Sequence, residues 1–522
     1  MKLVSVEQMR AIEREADAKG ITYDIMMKNA GEGLAITVDK LSQSHSWGAV
    51  MGLVGLGNNG GDTLVALSWL NKNGWNTHAY LIGRSASGDP LTEAYMQTGG
   101  VVIQASQDEE FIKLKSALSE SHVLLDGVLG TGMRLPLRDE IGSVLLETKS
   151  HLASLKQPPF VIAVDCPSGV NCDTGEAAEQ TIRADLTVTM AAIKQGLLKL
   201  PAFEFTGNLQ VVDIGLPPDL ISWNRVTSEM ADAGMVAGIL PRRGFDAHKG
   251  TFGSLFILAG STTYTGAALL SAAAAYRSGI GLVRMGVPAP LHAAISGQLP
   301  ETTWVLLPEE SRYLAESAGD IILQSLDRIT AVLVGPGMGT LRTTRNLIEL
   351  LLEKVELPLV VDADGLRLMG LIPSWEKRLA GFAILTPHPG EMSALTGLPI
   401  GEIQANRNEI ASQYSRKWGH IVVLKGAFTV VAAPDGRTAV IPVATPALAR
   451  AGTGDVLSGL IAGLRGQGIE SFEAAVAGAY IHGKAGFQAA ESVGTATSVL
   501  ASDVVREISW AVREIESLKD QA

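Results

Sequence analysis

The sequence predicts an α/β protein made of two doubly wound, three-layer domains, each a sheet with helices on both faces. Short apolar runs alternate with helical segments along the chain, in two series separated by the pair Pro217 and Pro218. Apolar residues are continuous within these runs, which is typical of parallel strands buried on both faces. Strands that alternate with helices form layered α/β domains, and 522 residues are too many for one ordinary domain.

The first domain is predicted at residues 1–220. Ser5 and Gln8 have the spacing of a capping box, so a helix is expected from Val6 to Lys19. Six apolar runs then predict strands: GAVMGLVG, NTHAYLIG, HVLLDGV, FVIAVDCPSG, DLTVTMAA and LQVVDIG.

The second domain is predicted at residues 221–522, because the strand rhythm is lost between residues 216 and 225. Its predicted strands are SLFILAG, LVRMGV, AVLVGPGMG, LPLVVDADG, FAILTPHPGE, HIVVLKG and FTVVAAPDG. The turn AAPDG lies between FTVV and TAVIPV and indicates a hairpin, so this domain is expected to include antiparallel pairing.

Composition excludes several classes of protein. A net charge of −12 argues against a polyanionic partner such as nucleic acid, although single nucleotides can still bind at helix ends. The two cysteines, Cys166 and Cys172, are too few for a disulfide-stapled secreted fold and favour a reducing compartment. No signal-like apolar region follows Met1, and the uncharged stretch 251–276 fits a strand, turn and helix better than a membrane span. A cytoplasmic protein without a membrane partner is expected.

Three loops of the first series should lie at the ligand-binding edge, because open parallel sheets bind ligands at the carboxyl ends of their strands. They are GLGNNGGDT at 55–63, DGVLGTGMRLP at 126–136 and DCPSGVN at 165–171. In the first loop, Gly60 and Gly61 would let a phosphate approach backbone amides, and Asp62 could cap the following helix. Asn58 and Asn59 add side-chain donors and acceptors. The alternative is a tight turn with an Asp cap.

Asp126 and Asp165 each end an apolar run. A carboxylate at the buried mouth of a cleft is suited to exchanging protons with a ligand, which makes Asp165 a candidate acid/base. For Asp126 a helix cap or turn former is an equally good interpretation.

GNNGGD, DGVLGTG and DCPSG together resemble the NAD(P)H-hydrate epimerase domain over nearly all of residues 1–220, with Leu56 and Thr63 departing from the usual GPGNNGGDG. The resemblance implies a Rossmann-like fold that interconverts the two epimers of hydrated NADH or NADPH, with Asp165 as the acid/base. It also implies a potassium ion held by Asn59, Asp126 and Ser168. The implied substrate contacts are Asn58, Asn59, Gly60, Gly61, Asp62, Gly130, Thr131, Gly132, Met133, Arg134, Leu135, Pro136 and Asp165.

AGTGDVLSG, residues 451–459, is the most specific motif of the second half. Small residues lead into a helix, so the amides of Gly452 to Gly454 could converge on an anion, with Asp455 beside them to accept a proton from a hydroxyl. This suits phosphoryl transfer. The alternative is an ordinary helix that begins near an Asp.

The motif is shared with ribokinase-like kinases, and its companions HKGTFGSLFILAGS, GPGMG, DADGL, TPHPGEM and VLKGAFT resemble the ADP-dependent NAD(P)H-hydrate dehydratases over roughly 225–515. The resemblance implies that ADP phosphorylates the ring hydroxyl and phosphate is then eliminated, with Asp455 as the base and Mg²⁺ on the phosphates. Implied hydrate contacts are Gly337, His388, Pro389, Gly390, Glu391 and Met392. Implied ADP contacts are Lys425, Gly426, Ala427, Phe428, Thr429, Ala451, Gly452, Thr453 and Gly454.

Two alternatives stand beside this bifunctional repair enzyme. One is a ribokinase-like small-molecule kinase fused to a nucleotide-binding domain, which explains the second half but leaves the first without purpose. The other is a binding protein whose first domain has lost catalysis. The motifs are compatible with NADH or NADPH, and a homo-oligomer is expected because large α/β enzymes commonly assemble symmetrically.

Overall fold

The computed structural model describes residues 1–137, 139–379, 381 and 383–519. Contacts divide it into two compact units, Met1–Thr227 and Ser228–Ala522. Residues 221–227 group with the first unit because Val226 is buried in its core and Trp223 packs against that core. The two units are described separately.

The first unit alternates strands and helices. Its strands are β1 (Leu3–Val4), β2 (Ala49–Val54), β3 (Asn76–Leu81), β4 (Val101–Gln104), β5 (Val123–Gly127), β6 (Phe160–Val164), β7 (Leu186–Met190), β8 (Ile193–Lys194) and β9 (Asn208–Val212). Its helices are α1 (Val6–Ala18), α2 (Tyr23–Ser42), α3 (Asn58–Lys72), α4 (Pro90–Gln97), α5 (Ile112–Glu120), α6 (Asp139–Ser154), α7 (Phe203–Thr206) and α8 (Ile221–Asn224).

The main sheet of the first unit is parallel, in the order β4-β3-β2-β5-β6-β7-β9. The chain runs outward from β2 to β4, returns to β5 and continues in the other direction, so the strand order reverses between β2 and β5. Leu34 of α2 and Leu67 of α3 cover one face, while Leu118 of α5 and Leu145 of α6 cover the other. The predicted doubly wound, three-layer architecture is confirmed.

The predicted first helix is also confirmed. Ser5 Oγ accepts a hydrogen bond from the Gln8 amide at 3.1 Å, and Gln8 Oε1 accepts one from the Ser5 amide at 2.8 Å. The helix ends at Ala18, one residue before the predicted end at Lys19. Strand β4 was not predicted, because it lies at the sheet edge and none of its residues is fully buried.

The second unit has the same alternating plan. Its strands are β10 (Ser228–Met230), β11 (Ser254–Leu258), β12 (Leu282–Pro288), β13 (Thr303–Leu307), β14 (Glu309–Glu310), β15 (Tyr313–Leu314), β16 (Ala331–Val334), β17 (Leu359–Val361), β18 (Ile384–Leu385), β19 (Ile421–Leu424), β20 (Val430–Ala432) and β21 (Thr438–Val440). Its helices are α9 (Ala233–Ile239), α10 (Thr265–Arg277), α11 (Ala289–Ile295), α12 (Ala318–Gln324), α13 (Arg342–Lys354), α14 (Asp364–Met369), α15 (Pro389–Thr396), α16 (Ile400–Ala405), α17 (Arg407–Trp418), α18 (Thr453–Gly466), α19 (Ser471–Val493) and α20 (Ala501–Glu516).

The main sheet of this unit has the order β10-β21-β20-β19-β18-β17-β16-β11-β12-β13. The order in which the chain adds strands reverses between β11 and β16. Its pairs are parallel except β19–β20 and β20–β21, which are antiparallel, so the predicted hairpin is confirmed. Helices α10, α18 and α19 bury one face of the sheet. The opposite face is also buried, with α17 packed beside β19.

The uncharged stretch 251–276 forms β11 and most of α10, as expected from its serines, threonines and glycines. Within the described residues, no helix combines the length and the hydrophobicity that crossing a bilayer requires.

Candidate functional site

A cavity of about 920 Å³ opens in the first unit where the strand order reverses. Such reversal points are where open parallel sheets bind ligands, because the flanking loops diverge there. Ten of the predicted substrate contacts line it: Asn58, Asn59, Asp62, Gly130, Thr131, Gly132, Met133, Arg134, Pro136 and Asp165. The other three, Gly60, Gly61 and Leu135, do not line it.

The NNGGD segment forms the first turns of α3, which begins at Asn58 after the N-cap Gly57. Asp62 therefore lies inside the helix and does not cap it, contrary to the prediction. Gly60 and Gly61 are buried rather than open to a ligand. A side chain at Gly60 would meet the Gly55 carbonyl oxygen at 2.0 Å, and one at Gly61 would meet the Met27 sulfur at 2.7 Å. The two glycines allow α3 to pack closely against β2 and α2.

The Gly60→Ala variant is expected to lower the free energy of unfolding of the first unit by about 1–3 kcal/mol, because backbone must shift to admit the methyl group. Urea unfolding measures this. Gly48→Ala is the matched control, since a side chain there meets nothing within 4 Å. Equal stability of the two variants would show that the close approach of α3 to β2 is not required.

Asp165 is held in a left-handed backbone conformation (φ 65°) directly after β6. Its Oδ1 accepts hydrogen bonds from the Thr189 hydroxyl at 3.1 Å, from the Met190 amide at 3.0 Å and from the Lys194 ammonium. Lys194 is 1% exposed, yet it lines the cavity beside Asp165. The predicted acid/base thus shares the site with a buried cation.

Two other carboxyl groups line the cavity and have raised pKa values. Burial, followed by the Asp165 carboxylate, holds the pKa of Asp62 well above its ordinary range. Burial also raises the pKa of Glu13, more than Lys194 lowers it. The cavity therefore holds carboxyl groups that resist ionisation next to one that is paired with an ammonium group.

The three predicted potassium ligands are linked through Leu129. Asp126 Oδ2 accepts from the Ser168 amide at 2.8 Å, Ser168 Oγ accepts from the Leu129 amide at 2.9 Å, and Asn59 Nδ2 donates to the Leu129 carbonyl at 3.3 Å. Asp126 Oδ1 is buried and has no hydrogen-bond partner within the described part of the chain. A buried carboxylate oxygen is costly to leave unpaired, so this cluster of hard oxygens fits a monovalent cation.

In the second unit, the carboxyl ends of β17, β18 and β19 bring three charged side chains together. Lys425, after β19, lies 2.6 Å from Asp362 Oδ1 and 3.7 Å from Glu391 Oε2. Burial opposes the charge of Lys425, but the two carboxylates more than offset it and raise the pKa of the ammonium group. The Lys425 ammonium therefore stays charged at this edge of the sheet.

Asp455 lies in the first turn of α18. Burial, and then the neighbouring Asp362 carboxylate, raise its pKa to about 7. A side chain at Gly454 would lie 3.5 Å from Lys425 Nζ, so the lysine reaches the start of this helix. A carboxyl group with a pKa of about 7 is suited to accepting a proton at neutral pH.

The amides at the start of α18 differ in part from the prediction. Gly452 is the N-cap in a left-handed conformation (φ 90°), but the Thr453 amide donates to the Arg450 carbonyl at 3.4 Å. In the described residues, the Gly454 and Asp455 amides have no hydrogen-bond partner. The Gly452 amide has none there either, so of the three predicted amides only that of Thr453 is bonded within the chain, and the Asp455 amide is an addition to the predicted set.

His388 and Glu391 lie on the predicted strand-to-helix turn and cap α15. His388 Nδ1 accepts from the amides of Gly390 at 3.0 Å and Glu391 at 3.3 Å, while Glu391 Oε2 accepts from the His388 amide at 2.9 Å. Burial, and to a lesser extent Lys425, lower the pKa of His388, so the ring is neutral. The His388 side chain is 45% exposed, whereas the Glu391 side chain is 4% exposed. Of the two, only His388 presents much surface to a ligand.

The remaining predicted contacts lie on turns at the same edge. Gly337 follows β16 with a φ of 63°, and the segment Lys425 to Thr429 turns tightly, with Thr429 Oγ1 donating to the Gly426 carbonyl at 2.9 Å. Ala451 is exposed just before α18. Pro389 and Met392 belong to α15, where Met392 is fully buried.

Two charged residues at these sites were missed from the sequence. Lys194 directly follows the apolar run TMAAI, and no local signal distinguished it from a lysine at a solvated strand end. Asp362 lies in the motif DADGL, from which no role was predicted for it. Its Oδ2 is buried without a hydrogen-bond partner among the described residues, which fits a divalent cation because Mg²⁺ prefers carboxylate oxygens.

Comparison with protein families matches both units. Residues 23–196 match the family described as YjeF-related protein N-terminus, and residues 255–509 match the family described as NAD(P)H-hydrate dehydratase.

Relatives match along nearly the whole chain. A bifunctional NAD(P)H-hydrate repair enzyme of Moorella thermoacetica is 34% identical, with 99% of this chain and 97% of the relative covered. One of Escherichia coli is 32% identical, with coverages of 95% and 91%. Among solved structures, an ADP/ATP-dependent NAD(P)H-hydrate dehydratase of Bacillus subtilis, co-crystallised with ATP and Mg²⁺, is 30% identical and matches 55% of this chain and 99% of its own, with a TM-score of 0.48.

Proposed function

Because the chain belongs to the family of bifunctional NAD(P)H-hydrate repair enzymes, we propose that its two units divide the repair between them. The first unit epimerises hydrated NADH or NADPH, and the second dehydrates one epimer at the expense of ADP. We assign the epimerase to residues 1–227 and the dehydratase to 228–522, which moves the boundary from the predicted 220/221. The packing of Trp223 and Val226 in the first unit supports this assignment.

The epimerase site is the cavity of the first unit, with Asp165 as its catalytic residue. The observation that supports this role is the pairing of Asp165 with Lys194 in the cavity wall. The Lys194 ammonium donates to Asp165 Oδ1, and this carboxylate can accept the hydroxyl proton of the hydrate. Asn58 and Arg134, which also line the cavity, are suited to holding the amide and phosphate groups of the dinucleotide.

A potassium ion would be held by Asn59, Asp126 and Ser168, and it would supply positive charge next to the substrate loop 130–136. The unpartnered Oδ1 of Asp126 supports this assignment. Asn59 and Ser168 also hold the start of this loop through their hydrogen bonds to Leu129, and Asp126 accepts from the Ser168 amide.

The dehydratase site is the edge of the second sheet around Asp455. This residue removes the proton of the ring hydroxyl, and the free amides of Gly454 and Asp455 face the phosphoryl group that is transferred. The observation that supports this role is the raised pKa of Asp455 at the start of α18. Lys425 supplies positive charge beside it, and elimination of phosphate then restores the dihydronicotinamide.

Magnesium bound with the nucleotide would neutralise the phosphates, and Asp362 is the residue suited to hold it. The segment Lys425 to Thr429 and the residues Ala451 to Gly454 contact the nucleotide, while Gly337 and His388 to Met392 contact the hydrate. A small-molecule kinase would use the same second unit, but it would leave the cavity and the Asp165–Lys194 pair of the first unit without a role.

The chain is also proposed to act in the cytoplasm as a homo-oligomer, without a nucleic-acid or membrane partner. The charge of −12 supports the absence of a polyanion, and closed symmetric assemblies are the commonest state of enzymes of this size. Light scattering after size exclusion measures the oligomeric state.

The full chain supplied with both epimers of hydrated NADH and with ADP is expected to restore all of the reduced-nicotinamide absorbance at 340 nm. The reason is that epimerisation feeds the rejected epimer to the dehydratase. Asp165→Asn is the matched control. Its recovery of absorbance should stop near the fraction of the hydrate that is the accepted epimer. Phosphorylation of a sugar without recovery of absorbance would favour the kinase instead.

A further inference from the structure

Asp62 has no role in the chemistry described so far, although it lies in the same cavity as Asp165. It is 6% exposed in the second turn of α3, and its exposed part faces the cavity. It does not cap α3, and its side chain forms no hydrogen bond within the described residues. A buried carboxyl group without a structural partner requires an explanation.

The hydrogen bonds of Lys194 distinguish the two carboxyl groups. An ammonium group has three donors, and those of Lys194 go to Asp165 Oδ1, to the Thr189 hydroxyl at 3.1 Å and to the Met190 carbonyl at 3.0 Å. None remains for Asp62. The buried cation Lys194 is thus bonded to the carboxyl group of Asp165 and not to that of Asp62.

This asymmetry suits the two groups to different roles. Asp165 Oδ1 accepts hydrogen bonds from the ammonium and from two further donors. Burial, and then the Asp165 charge, raise the pKa of Asp62 well above its ordinary range, which favours its protonated form. Two carboxyl groups with opposite preferences are the usual arrangement of an acid and a base in one site.

The reaction needs both. Water adds to an enamine at the carbon attached to nitrogen, so the hydrate is a hemiaminal whose hydroxyl carbon is bonded to the ring nitrogen. Inversion through ring opening must remove the hydroxyl proton and, at the same time, protonate the departing nitrogen. A single carboxylate can do only the first of these.

We propose that Asp62 is the second catalytic residue of the epimerase and donates a proton to the ring nitrogen while Asp165 accepts the hydroxyl proton. This rests on the proposed role of Asp165. The O–H and C–N bonds break, a C=O bond and an N–H bond form, and Asp62 becomes the carboxylate. Rotation of the aldehyde followed by closure on its other face returns both protons, so no oxidant or co-reactant is consumed.

Several other charged groups face Asp62, and one of them is suitable for a control variant. Lys194 and Asp165 lie on the sheet side and Glu13 on α1, while Arg10, Arg134 and Glu140 line the cavity further away. Glu13 is the matched control, because it is also a cavity carboxyl group with a raised pKa. Its amide variant should keep epimerisation within about threefold of the native rate.

The experiment follows one purified epimer of hydrated NADH, with the full chain and without ADP, as it equilibrates on a chromatographic column. Asp62→Asn is expected to lower the turnover number by about 10²-fold or more, with KM nearly unchanged. The native rate should fall at alkaline pH as Asp62 ionises, and Asp62→Asn should lose this alkaline limb. ADP-dependent dehydration of the accepted epimer by the same variant reports that the chain is folded.

The outcomes separate the two proposals. Retained epimerisation in Asp62→Asn, together with loss in Asp165→Asn, would overturn the role of Asp62 and leave that of Asp165 intact. Retained epimerisation in both variants would overturn Asp165 as well. Loss in Glu13→Gln but not in Asp62→Asn would move the acid to α1. An alkaline limb that persists in Asp62→Asn would also contradict the proposal.

Discussion

Asp455→Asn is expected to slow ADP-dependent dehydration by about 10²- to 10⁴-fold, because an amide cannot accept the proton of the ring hydroxyl. Epimerisation by the first unit should be unchanged. The measurement is the recovery of absorbance at 340 nm from the accepted epimer at saturating ADP. Asp327→Asn is the control, since Asp327 is an exposed carboxylate of the same unit with 83% side-chain exposure.

The pH dependence gives a second test of the same residue. The base must be ionised, and its pKa is about 7, so the native kcat/KM should rise with pH up to about 7 and then level off. The pKa of Asp455 in the folded state lies above its ordinary value of 3.8. Between about pH 4 and about pH 7 the folded state therefore binds more protons than the unfolded state. Stability therefore falls as pH rises from about 4 to about 7.

Asp455→Asn removes the cost of burying an ionised carboxylate. Above pH 7 the second unit of the variant should therefore be more stable than that of the native chain by about 1 kcal/mol or more, and it should unfold at a higher temperature. A variant that is both inactive and more stable is typical of a residue kept for catalysis. A flat rate profile between pH 5 and 8 would contradict Asp455 as the base.

Much of the fold followed from the sequence because continuous apolar runs are sufficient to identify buried parallel strands. SLFIL and FVIAV became β11 and β6 as expected. Strands β4 and β13 were not predicted, although VVIQ and TWVLL are largely apolar, and most of their side chains are only partly buried. Both lie at an edge of their sheet.

The site was predicted less completely, for a physical reason. The motifs identified the loops, but not which groups in a loop face the ligand. Gly60 and Gly61 resemble a phosphate loop in sequence, yet close packing of α3 requires them. Likewise the motif did not show that the Thr453 amide is bonded to the Arg450 carbonyl, or that the Asp455 amide has no partner among the described residues. Hydrogen bonds of this kind depend on the tertiary path of the chain.

Lys194 shows the same limit of local patterns. Its side chain is fully buried and bonded to a residue 29 positions away. From the sequence alone, a lysine in TMAAIKQG is compatible with a solvated strand end. Strand β8 lies beside the cavity and brings the Lys194 ammonium to Asp165. The charge of this ammonium distinguishes the role of Asp165 from that of Asp62.

Lys194→Met is expected to lower the free energy of unfolding of the first unit by about 3–5 kcal/mol at neutral pH, because it leaves the Asp165 carboxylate buried without its cation. Epimerisation should fall with it, since the Asp165 carboxylate loses the partner that positions it in the cavity wall. Urea unfolding of the native chain and the variant measures the loss of stability.

The double variant Asp165→Asn/Lys194→Met separates the charge from the chemistry. Apart from glycine, Asn tolerates the left-handed backbone at 165 better than other uncharged residues, so the pair can be neutralised without new backbone strain. The double variant should recover most of the stability lost by Lys194→Met, which gives a coupling of several kcal/mol in the mutant cycle. It should remain inactive as an epimerase. If Lys194→Met is instead as stable as the native chain, or the double variant is the less stable of the two, the buried ion pair does not organise this site.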